Sequence, residues 1–268
     1  MKPVLIALAL LATILPARAE ILCTLVANAR TGAILVQEGP ACDTPTTPAS
    51  TFKVPLSVMG YDAGFLVDAH NPALPFVEGY PDWGGDDWRQ TSDPTRWMDY
   101  SIVWYSQLIA KSLGTSQLER YGAAFEYGNA DFSGDAGKDN GLERSWISSS
   151  LKLTPRQQLV FVGKLFTGQL PVSHEAMQTT ISILQQRTTD DGWLLRGKTG
   201  SAFPRNADGT FNRARGWGWY VGGASKGGEQ LVFVRLTQDD KRHSLSGGLR
   251  TRDGLIADWP GLVTPRLR

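Results

Sequence analysis

Apolar and polar positions alternate through "LCTLVANARTGAILVQEG" (22–39) and are interrupted by the turn formers of "NARTG", which predicts a strand, a turn and a second strand. The period then lengthens. Phe52, Val54, Leu56, Val58 and Met59 permit a helix from Thr51 to Ala63 with Ser50 as its N-cap. "SDPTRWMDYSIVWYSQLIAKSLG" (92–114) predicts one long helix, capped by Asp93 with Pro94 at its first position. Two further helices are expected to start at Thr154-Pro155 and near Ser173. Strand character returns in "GWLLRGKTG", "GWGWYVGGAS" and "EQLVFVRLT", followed by a terminal helix near Gly254 to Trp259. Strands at both ends with helices between them predict an α+β fold, one antiparallel sheet flanked by helices plus a helical region. A cleft between sheet and helical region is the expected place for a site.

The opening "MKPVLIALALLATILPARA" has a basic start, an apolar middle and an A-x-A ending, and is expected to be a cleaved signal peptide, residues 1–19. Residues 20–268 would then form a single exported catalytic domain. No later stretch is long and apolar enough to cross a bilayer. Loss of Lys2 and Arg18 turns a formal charge of +1 slightly negative, which removes any electrostatic case for nucleic acid or membrane as a partner. In an exported chain the two cysteines, Cys23 and Cys42, read as one bridge, with two free thiols as the alternative.

Candidate chemistry begins at "PASTFKVP", where Ser50 and Lys53 form an S-x-x-K at an expected helix start. Backbone N–H groups and the helix dipole favour an anion there, and Lys53 follows Ser50 by one turn. Alone the pattern is weak, because "SSLK" (149–152) fits it equally and a capping serine beside a solvated lysine explains it. A second basic element, Lys198-Thr199-Gly200, stands at the end of an apolar strand, where a lysine and a hydroxyl can hold a carboxylate. It lacks the glycines of a nucleotide loop. Between the two lie Ser101 in "YSIVWY", Tyr127-Gly128-Asn129 in an expected loop, and Trp146 in "RSWISSSLKLTP".

In this order, over nearly the whole chain after the leader, these motifs resemble the class D, oxacillinase-type, serine β-lactamases. The resemblance implies a nucleophile at Ser50 and a general base at Lys53 in its N6-carboxylated form, so that CO₂ is the only cofactor and no metal is needed. It implies an S-x-V element at Ser101-Ile102-Val103, a tryptophan at Trp146 that holds the carbamate, and a carboxylate site at Lys198, Thr199 and Arg250, with Arg252 a close competitor. Ser101 would pass a proton to the lactam nitrogen. Val103 would line the site, and Gly200 and Ser201 would bound it, with backbone N–H groups of Ser50 and Ser201 forming the oxyanion hole. One departure follows K-T-G, where Tyr220 and Gly223 replace aromatic residues common in the family, which raises the expectation of an altered cleft wall.

An ordinary lysine, with a pKa near 10.4, is a charged acid at neutral pH, so the base role requires desolvation, with Val54, Val103 and Trp146 as expected walls. The implied activity is hydrolysis of β-lactam antibiotics in the periplasm, which confers resistance. A penicillin-binding peptidase and a sensor domain that stays acylated share the same Ser-Lys and K-T-G logic. Other groups offer less. His70, His174 and His243 lack ligand spacing, the pairs Asp86-Asp87 and Asp190-Asp191 fall in turns, and Glu126 is expected to end a helix in solvent. The nine tryptophans sit among apolar neighbours and read as core rather than as a sugar-binding surface.

Overall fold

The computed structural model describes residues 19–266, so the expected leader lies, apart from Ala19, outside the described residues. Six strands form one antiparallel sheet: β1 (Glu20–Asn28), β2 (Ile34–Glu38), β3 (Gln185–Thr188), β4 (Leu194–Ala202), β5 (Trp217–Lys226) and β6 (Glu229–Gln238), in the order β2-β1-β6-β5-β4-β3. Helices α1 (Lys53–Asp62), α2 (Pro94–Tyr100), α3 (Val103–Leu113), α4 (Thr115–Ala124), α5 (Gly141–Arg144), α6 (Pro155–Phe166) and α7 (His174–Ser182) fill the middle of the chain, and α8 (Gly247–Val263) closes it.

The period-2 pattern sorts the strands into two cores. On β5, Trp219 and Val221 face the helical region while Tyr220 and Ala224 face α8; on β6, Val232, Val234 and Leu236 take the first face and Leu231 and Phe233 the second. Phe233 lies between the rings of Tyr220 and Trp259, at 4.9 and 5.5 Å between centroids. Under α8, Arg235 is buried and its guanidinium donates to Asp258 at 2.6 Å and to Thr24 Oγ1 at 3.0 Å, so a buried charge keeps both a counter-charge and a hydrogen bond.

Several expectations are corrected. The helix foreseen over 92–114 is two helices, because Ser101 adopts left-handed angles (φ 59°, ψ 37°) and Ile102 is extended. The terminal helix starts at Gly247, not near Gly254, although Gly247, Gly248, Gly254 and Pro260 are poor helix formers. Packing overrides propensity there, since a Cβ on Gly248 would stand 2.7 Å from the carbonyl oxygen of Gly200. Two elements went unforeseen. The polar edge strand β3 has no buried residue, and the one-turn α5 buries only Gly141, so neither carries an apolar stripe strong enough to announce it.

The cap at Asp93 forms as expected, and Thr154 and Ser173, where helices were expected to begin, cap them as well, each side chain accepting from a backbone N–H in the first turn. Cys23 and Cys42 are disulfide-bonded, with 4.9 Å between their Cα atoms. The bridge pins the segment leading to Ser50 onto β1. Its reduction should lower unfolding free energy by about 3 kcal/mol, read as a shift in urea midpoint between oxidised protein and a Cys23→Ala/Cys42→Ala variant.

Candidate active site

The segment carrying Ser50 is a 3₁₀ turn, Ala49–Phe52, that runs into α1. Ser50 is therefore not the helix N-cap; Phe52 holds that position and makes no side-chain cap. Side chains fix the turn instead. Thr51 Oγ1 donates to the carbonyl of Pro48 at 2.7 Å and accepts from Gln158 Nε2 at 2.9 Å, while Trp219 Nε1 on β5 donates to the carbonyl of Thr47 at 3.0 Å. The strand β4 passes directly over the turn. A Cβ on Gly200 would stand 3.0 Å from both the Pro48 carbonyl oxygen and Thr51 Cγ2, so glycine is what allows the K-T-G strand to approach the Ser50 turn this closely.

Lys53 is 1% exposed, and its Nζ has no hydrogen-bond partner among the described residues. Burial, and secondarily the charge of Lys198, push its pKa well below that of a free lysine, so the neutral amine is favoured. Phe52 stacks on Trp146 at 5.3 Å, and both rings are fully buried. Lys198 is 2% exposed, and burial lowers its pKa to about 7, opposed by the carboxylate of Asp99 and assisted by the charge of Arg252. Its Nζ donates to the Thr199 carbonyl at 3.2 Å.

Ser101 projects from the left-handed corner between α2 and α3, with its buried hydroxyl unpartnered among the described residues. Two side chains hold that corner by its carbonyls: Trp88 Nε1 donates to Tyr100 at 2.9 Å and Gln185 Nε2 to Asp99 at 2.9 Å. Trp146 sits in a loop tied to the Ser50 segment by Thr47, whose Oγ1 donates to the Trp146 carbonyl at 2.8 Å and accepts from Ser148 N at 3.1 Å. The Tyr127-Gly128-Asn129 element braces the same loop. Gly128 is at φ 63°, where a Cβ would strike the Lys152 carbonyl, and Asn129 bonds Ser150 and Lys152.

One cleft of about 540 Å³ brings Ser50, Ser101, Val103, Thr199, Gly200 and Ser201 together. Ser201 Oγ accepts from Gly248 N at 2.8 Å, which anchors the start of α8 beside them. Neither Arg250 nor Arg252 is among the lining residues, and the buried Lys53, Trp146 and Lys198 are not either. Arg250 Nη2 is held by both oxygens of the buried Asp239, at 2.6 and 2.7 Å, and the residue borders a separate cavity with Thr251. Arg252, one turn beyond Gly248 on α8, is the arginine whose charge reaches Lys198. The substitutions at 220 and 223 do not reshape the cleft: Tyr220 packs under α8, and Gly223 makes room for the ring of Phe166 on the far side.

A family model for the penicillin-binding protein transpeptidase domain matches residues 22–257. Beta-lactamase OXA-9 of Klebsiella pneumoniae is 36% identical over 241 residues, 90% of this chain and 88% of the relative. The chain belongs to the class D β-lactamases. Beta-lactamase OXA-1 of Escherichia coli is 34% identical, across 87% of this chain and 82% of the relative. The crystal structure of the OXA-427 class D β-lactamase superposes with a TM-score of 0.83 at 43% identity, covering 91% of this chain and 98% of that one. The six-stranded sheet with helices on both faces is thus the transpeptidase-like fold of the class D β-lactamases.

What the motifs missed in this β-lactamase are the residues that aim them: Thr47, Gln158, Trp88 and Gln185. A hydroxyl or amide bonded across the fold leaves no local pattern. The lysine titration gives a sign-definite expectation. Lys198 is a cation below about pH 7 and loses its charge as pH rises through that value. Affinity of the cleft for a carboxylate-bearing ligand should fall above neutrality, by up to about tenfold per pH unit, in a titration followed by cleft tryptophan fluorescence. A Lys198→Arg variant, whose guanidinium does not titrate there, should lose that limb.

Proposed function

We propose that the cleft hydrolyses the β-lactam ring of antibiotics through an acyl-enzyme on Ser50, giving resistance to the cell that exports it. The observation that carries this reading is the pairing of a serine on a braced turn with a buried, unpartnered lysine one turn on, under the K-T-G strand. Ser50 Oγ attacks the lactam carbonyl carbon, and its proton moves to the side chain at Lys53. Backbone N–H groups of Ser50 and Ser201 take the developing oxyanion, in a position worth about 3 kcal/mol per donor in comparable sites. The carbon–nitrogen bond of the ring breaks, Ser101 Oγ delivers its proton to the departing nitrogen, and it takes back the one held at the Lys53 side chain. Water then attacks the ester, giving a proton to that same side chain, which passes it to Ser50 Oγ as the carbon–oxygen bond breaks.

Lys53 suits N6-carboxylation because burial favours the neutral amine, the form that adds CO₂, and its Nζ has no competing partner among the described residues. A carbamate there would supply an oxygen base, with Trp146 Nε1 as the donor that holds it. Lys198, Thr199 and a guanidinium bind the substrate carboxylate. Arg252 fits that role better than Arg250: its charge reaches Lys198 and its partner Asp253 is half-exposed, whereas Arg250 is held by both oxygens of the buried Asp239. Residues 20–268 act as one catalytic unit in the periplasm after loss of 1–19, and the motif placement supports this without a membrane partner; no helix among the described residues is long and apolar enough to cross a membrane.

Purified enzyme mixed with a chromogenic β-lactam should turn over many equivalents and show a transient mass adduct on Ser50. Lys53→Ala should slow acylation as well as deacylation, the latter by about a thousandfold so that any adduct formed persists, and labelled bicarbonate should give a carbamate carbon signal that this variant lacks. A single stoichiometric burst in the native enzyme would instead indicate a sensor or peptidase. The two arginines separate by readout. Arg252→Ala should raise KM for carboxylate-bearing substrates about tenfold, whereas Arg250→Ala strands the buried Asp239 and should cost about 3 kcal/mol of stability in denaturant unfolding.

A further inference from the structure

The cleft holds an acidic side chain that the proposed reaction does not use. Asp99, two residues before Ser101, lines the cleft together with Ser50 and Thr199. Its place is built rather than incidental: the amide of Gln185, on β3, donates to the Asp99 backbone carbonyl at 2.9 Å. Lys198 and Arg187 act on the Asp99 carboxylate through space and not as hydrogen-bonded partners. The residue is exposed to the cleft, yet partial desolvation raises its pKa from the ordinary value, so the carboxylate has given up some of its water.

Charges of both signs therefore bear on this end of the cleft. Thr199 on its wall, with Lys198 behind it, suits a substrate carboxylate, and the exposed Asp99 lines the same wall as a negative group within electrostatic reach of Lys198. We propose that Asp99 is a specificity determinant that recognises a cationic substituent carried next to the substrate's carboxylate, as in zwitterionic cephalosporins bearing a pyridinium or quaternary ammonium group on the neighbouring ring carbon. Such a molecule matches the cleft charge for charge. A neutral substituent gains nothing from Asp99, and an anionic one is repelled by it, which makes the residue a selector as well as a contact.

The inference rests on the hydrolase reading, and one experiment separates the two. Two cephalosporins with the same nucleus, one with a pyridinium-methyl and one with a methyl group at the C3 position, are hydrolysed by native enzyme, Asp99→Asn and Asp99→Lys in bicarbonate buffer. The ratio of kcat/KM, cationic over neutral, should fall about fivefold in Asp99→Asn and further in Asp99→Lys, and the native ratio should shrink as salt is raised. A ratio that stays the same in all three proteins overturns the proposal, even if both rates drop together, because Asp99 would then act only by keeping the proton on Lys198. Native enzyme that neither turns over nor forms a Ser50 adduct with either compound overturns the hydrolase reading, and this inference with it.

Discussion

Two lysine amines buried beside one serine are the constraint on which the rest of the structure turns. Lys53 and Lys198 are 1% and 2% exposed, and the charge of Lys198 bears directly on Lys53. Two unscreened cations cannot share such a space, since each would lose several kcal/mol of hydration. The surroundings break the tie. Lys198 has the Asp99 carboxylate in electrostatic reach and a carbonyl at 3.2 Å, whereas Lys53 Nζ has neither among the described residues. Burial lowers the pKa of both, and the Asp99 carboxylate opposes the fall at Lys198 alone. Environment, not residue type, separates the two members of one basic pair.

That division survives only if the walls around the lysines do not move, and a few long-range hydrogen bonds hold them. Thr47 meets the Trp146 loop 99 residues further along the chain and β5 at a separation of 172 residues. The paired backbone bridge between Thr46 and Leu153 runs alongside. Each buried bond contributes about 1 kcal/mol net, so none dominates stability, but together they leave the Ser50 turn, the Trp146 loop and the sheet one mutual arrangement. Gly200 sets the remaining distance by letting β4 close over the turn.

The sequence made the family legible and the positioning illegible, for a physical reason. Ser50, Lys53, Ser101 and Lys198 stand in motifs whose order along the chain is distinctive. The strands β1, β2, β4, β5 and β6 announced themselves by period-2 burial. The polar β3 did not, and it is β3 that supplies Gln185 to the corner holding Asp99 and Ser101. The choice between Arg250 and Arg252 was equally closed to inspection. Two arginines two positions apart on a helix point in different directions, and their partners are Asp239, on the chain after β6, for Arg250 and the adjacent Asp253 for Arg252.

Backbone strain gathers at the same places. Among the described residues the non-glycine positions with positive φ are Ala49, Ser101, Glu126, Ala130 and Ser148. Three of these adjoin the chemistry: Ala49 precedes the nucleophile, Ser101 is the proposed proton donor itself, and Ser148 is two residues past Trp146. A left-handed residue with a Cβ costs about 1 to 2 kcal/mol, and surrounding contacts must hold it there. They do so at Ser148, where Thr47 Oγ1 takes the N–H and Arg205 Nε donates to the carbonyl, and at the Ser101 corner, where Trp88 and Gln185 hold the two preceding carbonyls. Had residues 92 to 114 continued as one helix, the Ser101 hydroxyl would follow the helix surface instead of facing Ser50 across the cleft. The broken helix is thus a cost in local stability that places the Ser101 hydroxyl in the cleft with Ser50.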